Sequence, residues 1–551
     1  MKKNKIILFL LTLTLSLFSC SDYLDVNTNP NRLSADQIGA DKLLPAAQLG
    51  AYRNQATTMN QLGNVFMNSW FANVQQYTGG YARETQLIVD NSFYVTIFEN
   101  IYLNVNNMQK IIELPNADHK NDYSIAAAKI LKAHYMQYIV DLYGDAPYTD
   151  AFKGLANTTP KYNDDQLIYR KLLTELDEAR ALITAANPNA IDIAPFDIML
   201  KGSMTTWTQF ANTIELRMLL RMINNTGAVA TYRNARLVTL ATANNFLTQS
   251  VKINPGYTKS SNEQLNPFYA FAVADVSDAT VNNYTFIAPT AHFYKATTPY
   301  ALYPTASTGT EIIAGSGISY PNVDDPRRDR LWRNGAKQNY FRAVTQGSSS
   351  VDTFAPGNVV GVASRTGLGL HNPDNAVPAI VSSGTLLKNG YKVDGYVMTL
   401  AEVKFLLAEA NLRNSALFPN GSADFDAGIN ASMTYLGATV GTYITSINTK
   451  PNFGWIGNNT EKLHAVMYQK WIGLMGIHGI ESFIDYNRTG FPLTPLAVGA
   501  LQSRKPRRLV YPQSEYIANS VNVPNIGPSN VFALTDSSQP FWMLGDPALG
   551  N

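Results

Sequence analysis

Cysteine occurs once in the 551 residues, as Cys20, so no internal disulfide can form and the fold must rest on burial and hydrogen bonding. Charge is scarce too. Asp, Glu, Lys and Arg make up 15% of the residues, against about 25% in an average soluble protein, and the formal net charge is only +2. Such a balance leaves no electrostatic footprint for nucleic acid or an acidic partner. The common catalytic signatures are missing: no His-Glu-x-x-His zinc helix, no Gly-x-x-x-x-Gly-Lys phosphate loop, no Gly-x-Ser-x-Gly nucleophile elbow. His119, His134, His292, His371, His464 and His478 occur singly. His478 stands three residues before Glu481, a spacing seen in metal sites, but it lies inside a run of residues that reads as scaffold, where a core position is expected. Asp324-Asp325, followed by Pro326-Arg327-Arg328-Asp329-Arg330, resembles a hydrolytic carboxylate pair only superficially. Glycoside hydrolysis needs two carboxylates about 5 to 9.5 Å apart across the sugar, whereas sequence neighbours point apart, so a turn knitted by Asp–Arg pairs is expected. These absences predict no catalysis, no metal and no cofactor.

Only one apolar run is long. Lys2, Lys3 and Lys5 precede Ile6 to Phe18, and Ser19-Cys20 follows. Thirteen apolar residues fall short of the roughly twenty that a bilayer-crossing helix needs, so residues 1–19 read as a cleaved export signal. A bacterial lipoprotein signal places a cysteine at the first mature position, and Cys20 fits that slot. Multiple acyl chains there would hold the mature protein on a membrane surface, with residues 20–40 as a tether. Loss of the three signal lysines takes the net charge to about −1. The remainder reads as a single domain over 41–551.

Tyr (30) and Phe (24) are plentiful, and Asn, Thr and Ser fill much of the rest, a surface suited to uncharged polar ligands. Over 41–228 apolar residues recur at helical spacing. Met59, Leu62, Phe66 and Trp70 share one face; Phe93, Ile97, Ile101, Val105, Met108 and Ile112 form a second stripe. Leu131, Tyr135, Tyr138 and Leu142 make a third that stops at Gly144, with Pro147 beyond. Ile168, Leu172, Leu176, Ala179 and Ile183 make a fourth, and Ser203 caps a fifth through Trp207, Phe210, Ile214, Met218 and Met222, ending by Gly227. Amphipathic helices of this kind bury their stripes by stacking in successive antiparallel pairs. Between 229 and 395 the pattern dissolves into Gly, Ser, Thr, Asn and Pro with scattered rings, a length of irregular chain expected only of functional loops. From 396 helices return. Thr399 and Glu402 predict a capping box, and further helices run through Phe425 to Leu436 and Leu463 to Leu474. The tail from Pro492 is loop-like, its Arg504, Lys505, Arg507 and Arg508 expected to pair with scaffold carboxylates.

Five blocks together resemble the SusD/RagB family: Asp141-Leu142-Tyr143-Gly144-Asp145-Ala146-Pro147-Tyr148; the Trp207 helix with Asn212, Arg217 and Arg221; the Tyr396 to Ala410 helix; Gln469-Lys470-Trp471 through Glu481 to Gly490; and Arg508-Leu509-Val510-Tyr511-Pro512. They span most of the mature chain in the family's order. The resemblance implies a mainly α fold of tetratricopeptide-like helix pairs with a large irregular, loop-rich insert. It also implies an outer-membrane surface lipoprotein, anchored in lipid through Cys20. Such a protein would capture a glycan, or in some members a peptide, and deliver it to a SusC-like TonB-dependent transporter. A surface glycosidase is the alternative from another class. The matching blocks are scaffold by this reading, with Arg217 and Arg221 pairing with carboxylates.

A pyranose offers a flat C–H face and a rim of hydroxyls, so its site needs a few aromatic rings edged by polar groups. Two stretches have that make-up: Trp70 through Tyr77 into Tyr81 and Arg83, and Tyr284, Phe293, Tyr294 and Tyr300 in the insert. Each ring has a competing role in packing; taken together, one of the stretches is expected to meet ligand.

Overall fold

The computed structural model describes residues 38–74, 77, 79–299, 318–333, 343–348, 365–366, 390–534 and 538–543. In chain order these form α1 (Ala40–Asn54), continued by a π turn (Gln55–Met59) into α2 (Asn60–Phe66), then β1 (Trp70–Ala72), α3 (Ala82–Gln86), α4 (Val95–Ile112), α5 (Asp122–Tyr143), β2 (Ala146–Pro147), β3 (Tyr162–Asn163), α6 (Asp165–Ala185), α7 (Met204–Arg221) and α8 (Gly227–Ala243). The middle carries β4 (Val251–Ile253), α9 (Pro267–Ala272), α10 (Asn282–Phe286), β5 (Ile287–Pro289), α11 (Ala291–Thr297), α12 (Arg328–Leu331), β6 (Trp332–Arg333) and β7 (Arg365–Thr366). After β8 (Gly395–Met398) come α13 (Leu400–Arg413), α14 (Gly421–Leu436), α15 (Tyr443–Ile447), α16 (Asn459–Leu474), α17 (Gly479–Thr489), α18 (Gln513–Ala518) and α19 (Pro528–Val531). The fold is mainly α, its strands being short antiparallel pairs: β1–β5, β2–β3, β4–β8 and β6–β7.

Neighbouring helices pack in sequence, α1 on α4, α4 on α5, α5 on α6, α7 on α8, α13 on α14 and α16 on α17. Their ends are fixed by short polar side chains. Asp164 accepts the Leu167 N–H at 3.0 Å and starts α6, and Ser203 accepts from Thr206 N–H at 3.3 Å and starts α7, each satisfying a backbone donor that has no partner inside the helix. Gly144 ends α5 with φ 76°, a backbone conformation that a Cβ would strain.

Several elements depart from their sequence reading. Trp70 leaves the helical register and lies on β1. α5 is buried all round except at Tyr123 and Lys129, so it is a central helix rather than an amphipathic one. Gly227 opens α8 instead of closing α7; α8 lies in the stretch read as irregular because only Arg233, Leu237 and Leu240 on its inner face are buried, too sparse a stripe to register. At α13, Thr399 accepts the Glu402 N–H at 3.1 Å, but the Glu402 carboxylate accepts from Arg217 at 3.0 Å, a charge-assisted bond that outcompetes a capping contact. A reciprocal capping box forms instead at Asn458 and Glu461. Two of the tail cations, Lys505 and Arg508, donate mainly to backbone carbonyls rather than to the expected carboxylates. Lys505 donates to Thr494 O and Oγ1 at 2.9 and 2.7 Å, and Arg508 donates to the Tyr143, Ser538 and Leu509 carbonyls.

Five helices meet in a buried ion network. Arg221 on α7 reaches Glu481 at 2.5 Å and Asp485 at 2.8 Å on α17, and Asp141 on α5 at 3.4 Å. Arg217, one turn back, holds Glu402 at 3.0 Å and Glu481 at 3.3 Å. Lys470 on α16 meets Asp485 at 2.8 Å, and Arg488 grips both oxygens of Glu409 at 2.5 and 2.7 Å. Burial alone would raise these carboxyls, but Arg217, Arg221 and Lys470 outweigh it and hold Glu481 well below the usual range, while Lys470, Arg221 and Arg488 bring Asp485 to about 2. Asp141 moves the other way, to about 6, because burial exceeds the pull of Arg221; Tyr169 and Trp542 donate to it. His478, hydrogen-bonded by Nε2 to Tyr138 OH at 3.1 Å, sits in this core.

Removing one partner leaves buried charge uncompensated, at a cost of about 3–5 kcal/mol. Arg221→Gln is expected to lose that much in urea unfolding, and adding Glu481→Gln to recover part of it; additive losses would show that the two side chains are not coupled. The pH dependence follows from the shifts. Glu481 and Asp485 contribute stability above their unfolded values of about 4, lost as pH falls toward 2. Asp141 and Asp165, raised to about 6 and about 7 by burial, favour the fold while protonated, and that contribution fades as pH rises through those values. Thermal midpoints should therefore peak at about pH 4, falling below it as Glu481 and Asp485 take up protons and falling from there to about pH 7 as Asp141 and Asp165 ionise, with Asp141→Asn reducing the decline between about pH 4 and 6.

Candidate functional site

The two ring-bearing stretches are about 210 residues apart in sequence and adjoin in space, because β1 and β5 pair antiparallel with Trp70 opposite Pro289, Phe71 opposite Ala288 and Ala72 opposite Ile287. The pairing continues past Ala72: Asn73 N–H donates to Phe286 O at 2.7 Å, and Asn73 Nδ2 to Thr285 O at 3.1 Å. Where the strands run out, Tyr77 and Phe286 meet with centroids 5.1 Å apart and planes at 80°, and Tyr77 OH lies 2.7 Å from Thr285 Oγ1. Both rings are half-buried. The chain turns over this corner at Gly79 and Gly80; a Cβ on Gly80 would lie 2.4 Å from Ala72 Cβ and 2.7 Å from the Phe286 ring, so only glycine lets the backbone pass so close. The product is an aromatic corner rimmed by Thr285, Asn282 and exposed backbone, with β7 lying against β5 and α10 beside it.

The other rings singled out from sequence are packed. Trp70 is 2% exposed and faces Phe268, with centroids 6.4 Å apart. Phe293 is fully buried against Trp332 and Trp471, and Tyr284 and Tyr294 are buried as well. Tyr81 is buried with its ring 4.9 Å from Phe286, so it backs the corner rather than lining it. The cause is shared: β1 and β5 are covered on both faces, so rings on or beside them fill core. Arg83 is committed to Asp90 at 2.6 Å and to Ser92 at 3.1 Å, with its guanidinium 5.2 Å from the Phe93 ring centroid. Tyr300 and Cys20 lie outside the described residues. Phe286 and Thr285 are not among the candidates read from sequence; Phe286 is one of the insert's scattered rings beside Tyr284, and only the strand pairing shows that both residues stand beside Tyr77.

Two carboxylate clusters among the described residues are structural. Asp325 pairs with Arg327 at 2.7 Å, and Asp324 and Asp329 flank Arg328 at 2.7 and 2.9 Å, the knitted turn expected. Asp145, Asp164 and Asp165 bring oxygens within 4.8 Å of one another, yet each accepts a backbone N–H, from Asp165, Leu167 and Phe541 respectively. They close the start of α6 rather than line a cavity.

A family model described as starch-binding and associating with the outer membrane matches residues 30–283 and 322–512. Among solved structures, a chitin-binding SusD homologue from Flavobacterium johnsoniae superposes with a TM-score of 0.64 at 20% identity, covering 92% of this chain and 99% of its own. SusD homologues from Bacteroides thetaiotaomicron (TM-score 0.61, 19% identity, 88% and 93% covered) and Bacteroides fragilis (0.60, 16%, 88% and 95%) share the fold. No curated protein matches the chain in sequence. With the family model spanning most of its length, the chain belongs to the SusD-like family.

Proposed function

We propose that this protein captures oligosaccharide at the cell surface, without cleaving it, and passes it to a SusC-like TonB-dependent transporter. The observation that carries the reading is the joining of two distant aromatic stretches into one half-exposed corner at Tyr77 and Phe286. Two rings at right angles offer a sugar one flat surface and one edge, the pairing that suits alternating C–H faces and hydroxyls. Thr285 and Asn282 supply polar contacts at the rim, and the low overall charge matches an uncharged ligand. The family description, starch-binding and associating with the outer membrane, and the chitin-binding structural neighbour support the same class of cargo. No helix among the described residues is long and apolar enough to cross a membrane.

Losing a stacking ring removes a contact worth about 0.5–1.5 kcal/mol beyond area burial. Tyr77→Ala combined with Phe286→Ala should weaken binding to chito- or malto-oligosaccharides by about tenfold or more, read by affinity electrophoresis in polysaccharide gels and calorimetry, while circular dichroism keeps the helical spectrum of the folded protein. Unaltered migration of the unmodified protein in every glycan tested, alongside measurable peptide binding, would overturn the sugar reading. Mass spectrometry of the mature protein is expected to show a triacyl or diacyl modification on Cys20, and Cys20→Ser to release the protein from the envelope fraction.

A further inference from the structure

A second cleft lies well apart in sequence from the aromatic corner, between the end of α13 and the start of α16. Its volume is about 370 Å³, and Arg413, Asn414, Ser415, Trp455, Asn459 and Lys462 line it. That is near the low end of the range in which small-molecule sites fall, about 300–1,000 Å³, enough for a sugar unit or two and too small for a folded partner. Trp455 forms its wall. The ring packs against Phe425 with centroids 5.6 Å apart and lies close over Gly421, where a Cβ would come within 2.6 Å of the indole. One face of the ring is thus fixed by the core, and the side chain stays half-exposed on the cleft side.

Charge in the cleft is unbalanced. Lys462 Nζ sits 5.7 Å from the Trp455 centroid and has no carboxylate partner among the described residues. Arg413 reaches one carboxylate, Glu409 at 3.2 Å, which it shares with Arg488 at shorter range, Arg488 having Asp485 at 3.0 Å as well. Glu461, the nearest acid on α16, is turned back onto the Asn458 N–H at 2.8 Å. What is left is a polar pocket with surplus positive charge, a ring wall, and the side chains of Asn414, Ser415 and Asn459 to meet hydroxyls.

We infer that this cleft is a second saccharide subsite, selective for a sugar unit bearing an anionic group, a carboxylate or a sulfate ester. The anion sits between Lys462 and Arg413 and the sugar ring lies along Trp455. The saccharide class rests on the capture reading above; the position and the charge preference do not.

Isothermal calorimetry and tryptophan fluorescence on the full-length protein in detergent test it, with an oligogalacturonate, a sulfated disaccharide and maltotetraose as probes. One of the anionic probes is expected to bind more tightly than maltotetraose does at this cleft, with Lys462→Glu weakening it at least tenfold and Arg413→Gln severalfold. Both are exposed-side changes that spare the core, and Trp455→Phe should remove the fluorescence response while keeping the fold. The carboxylated and sulfated arms identify which anion is preferred. Tyr77→Ala with Phe286→Ala should leave anionic binding intact, so a failed aromatic corner and a failed cleft give different results. Absence of binding by both anionic probes, or affinities unchanged by Lys462→Glu, would overturn the proposal.

Discussion

The buried ion network around Arg217, Arg221, Lys470 and Arg488 is the constraint on which the scaffold depends. These cations and their acids, Glu402, Glu409, Glu481 and Asp485, are at most 2% exposed, where water cannot screen or solvate them. Their attraction in that low-dielectric setting only repays desolvation when every partner stands within hydrogen-bonding reach. Since the partners come from α5, α7, α13, α16 and α17, one register of five helices brings each charge within ion-pair distance of its partners. Apolar stripes bring helices together but tolerate sliding by a turn; a guanidinium that must find two carboxylates on another helix does not.

The same logic extends to the tail. The Leu509 N–H donates to Leu142 O at 2.7 Å, Tyr511 OH to Asp145 O at 2.6 Å, and Trp542 Nε1 to Asp141 at 2.9 Å. Leu509 and Tyr511 thereby satisfy carbonyls at and just beyond the end of α5, where the helix stops at Gly144, while Trp542 donates to the Asp141 carboxylate. Lys505 and Arg508 serve as multiple donors to backbone oxygen, with Lys505 also set 4.5 Å from the Tyr486 ring, so carbonyls take up much of the hydrogen-bonding capacity of these buried side chains.

Much of this was legible in the sequence, element by element. The stripes at 97–112, 131–142, 168–183 and 207–218 became helices because each repeats at the helical period, and Gly144 and Ser203 marked where two of them stop or start. The pairing of Arg217 and Arg221 with acids followed from two charged groups one turn apart on an apolar helix, which must find partners if buried. α8 was not legible, since its inner face carries few apolar residues. Nor was the fate of Glu402: the local pattern offered it a capping partner, and a residue 185 positions away offered a better one.

The sequence by itself determined that this chain is a low-charge, helix-built scaffold without a disulfide, and that rings concentrate near 70–81 and 284–300. Local spacing and composition carry that information, because caps, periods and residue types act over a few positions. Which rings fill the core and which face outward was decided only by tertiary structure. Trp70, Tyr284 and Phe293 have the same make-up as Tyr77 and Phe286, and they differ in whether the β1–β5 pair and its covering helices leave a face open. That is a property of long-range pairing, set by backbone hydrogen bonds between segments about 210 residues apart, and no local pattern encodes it.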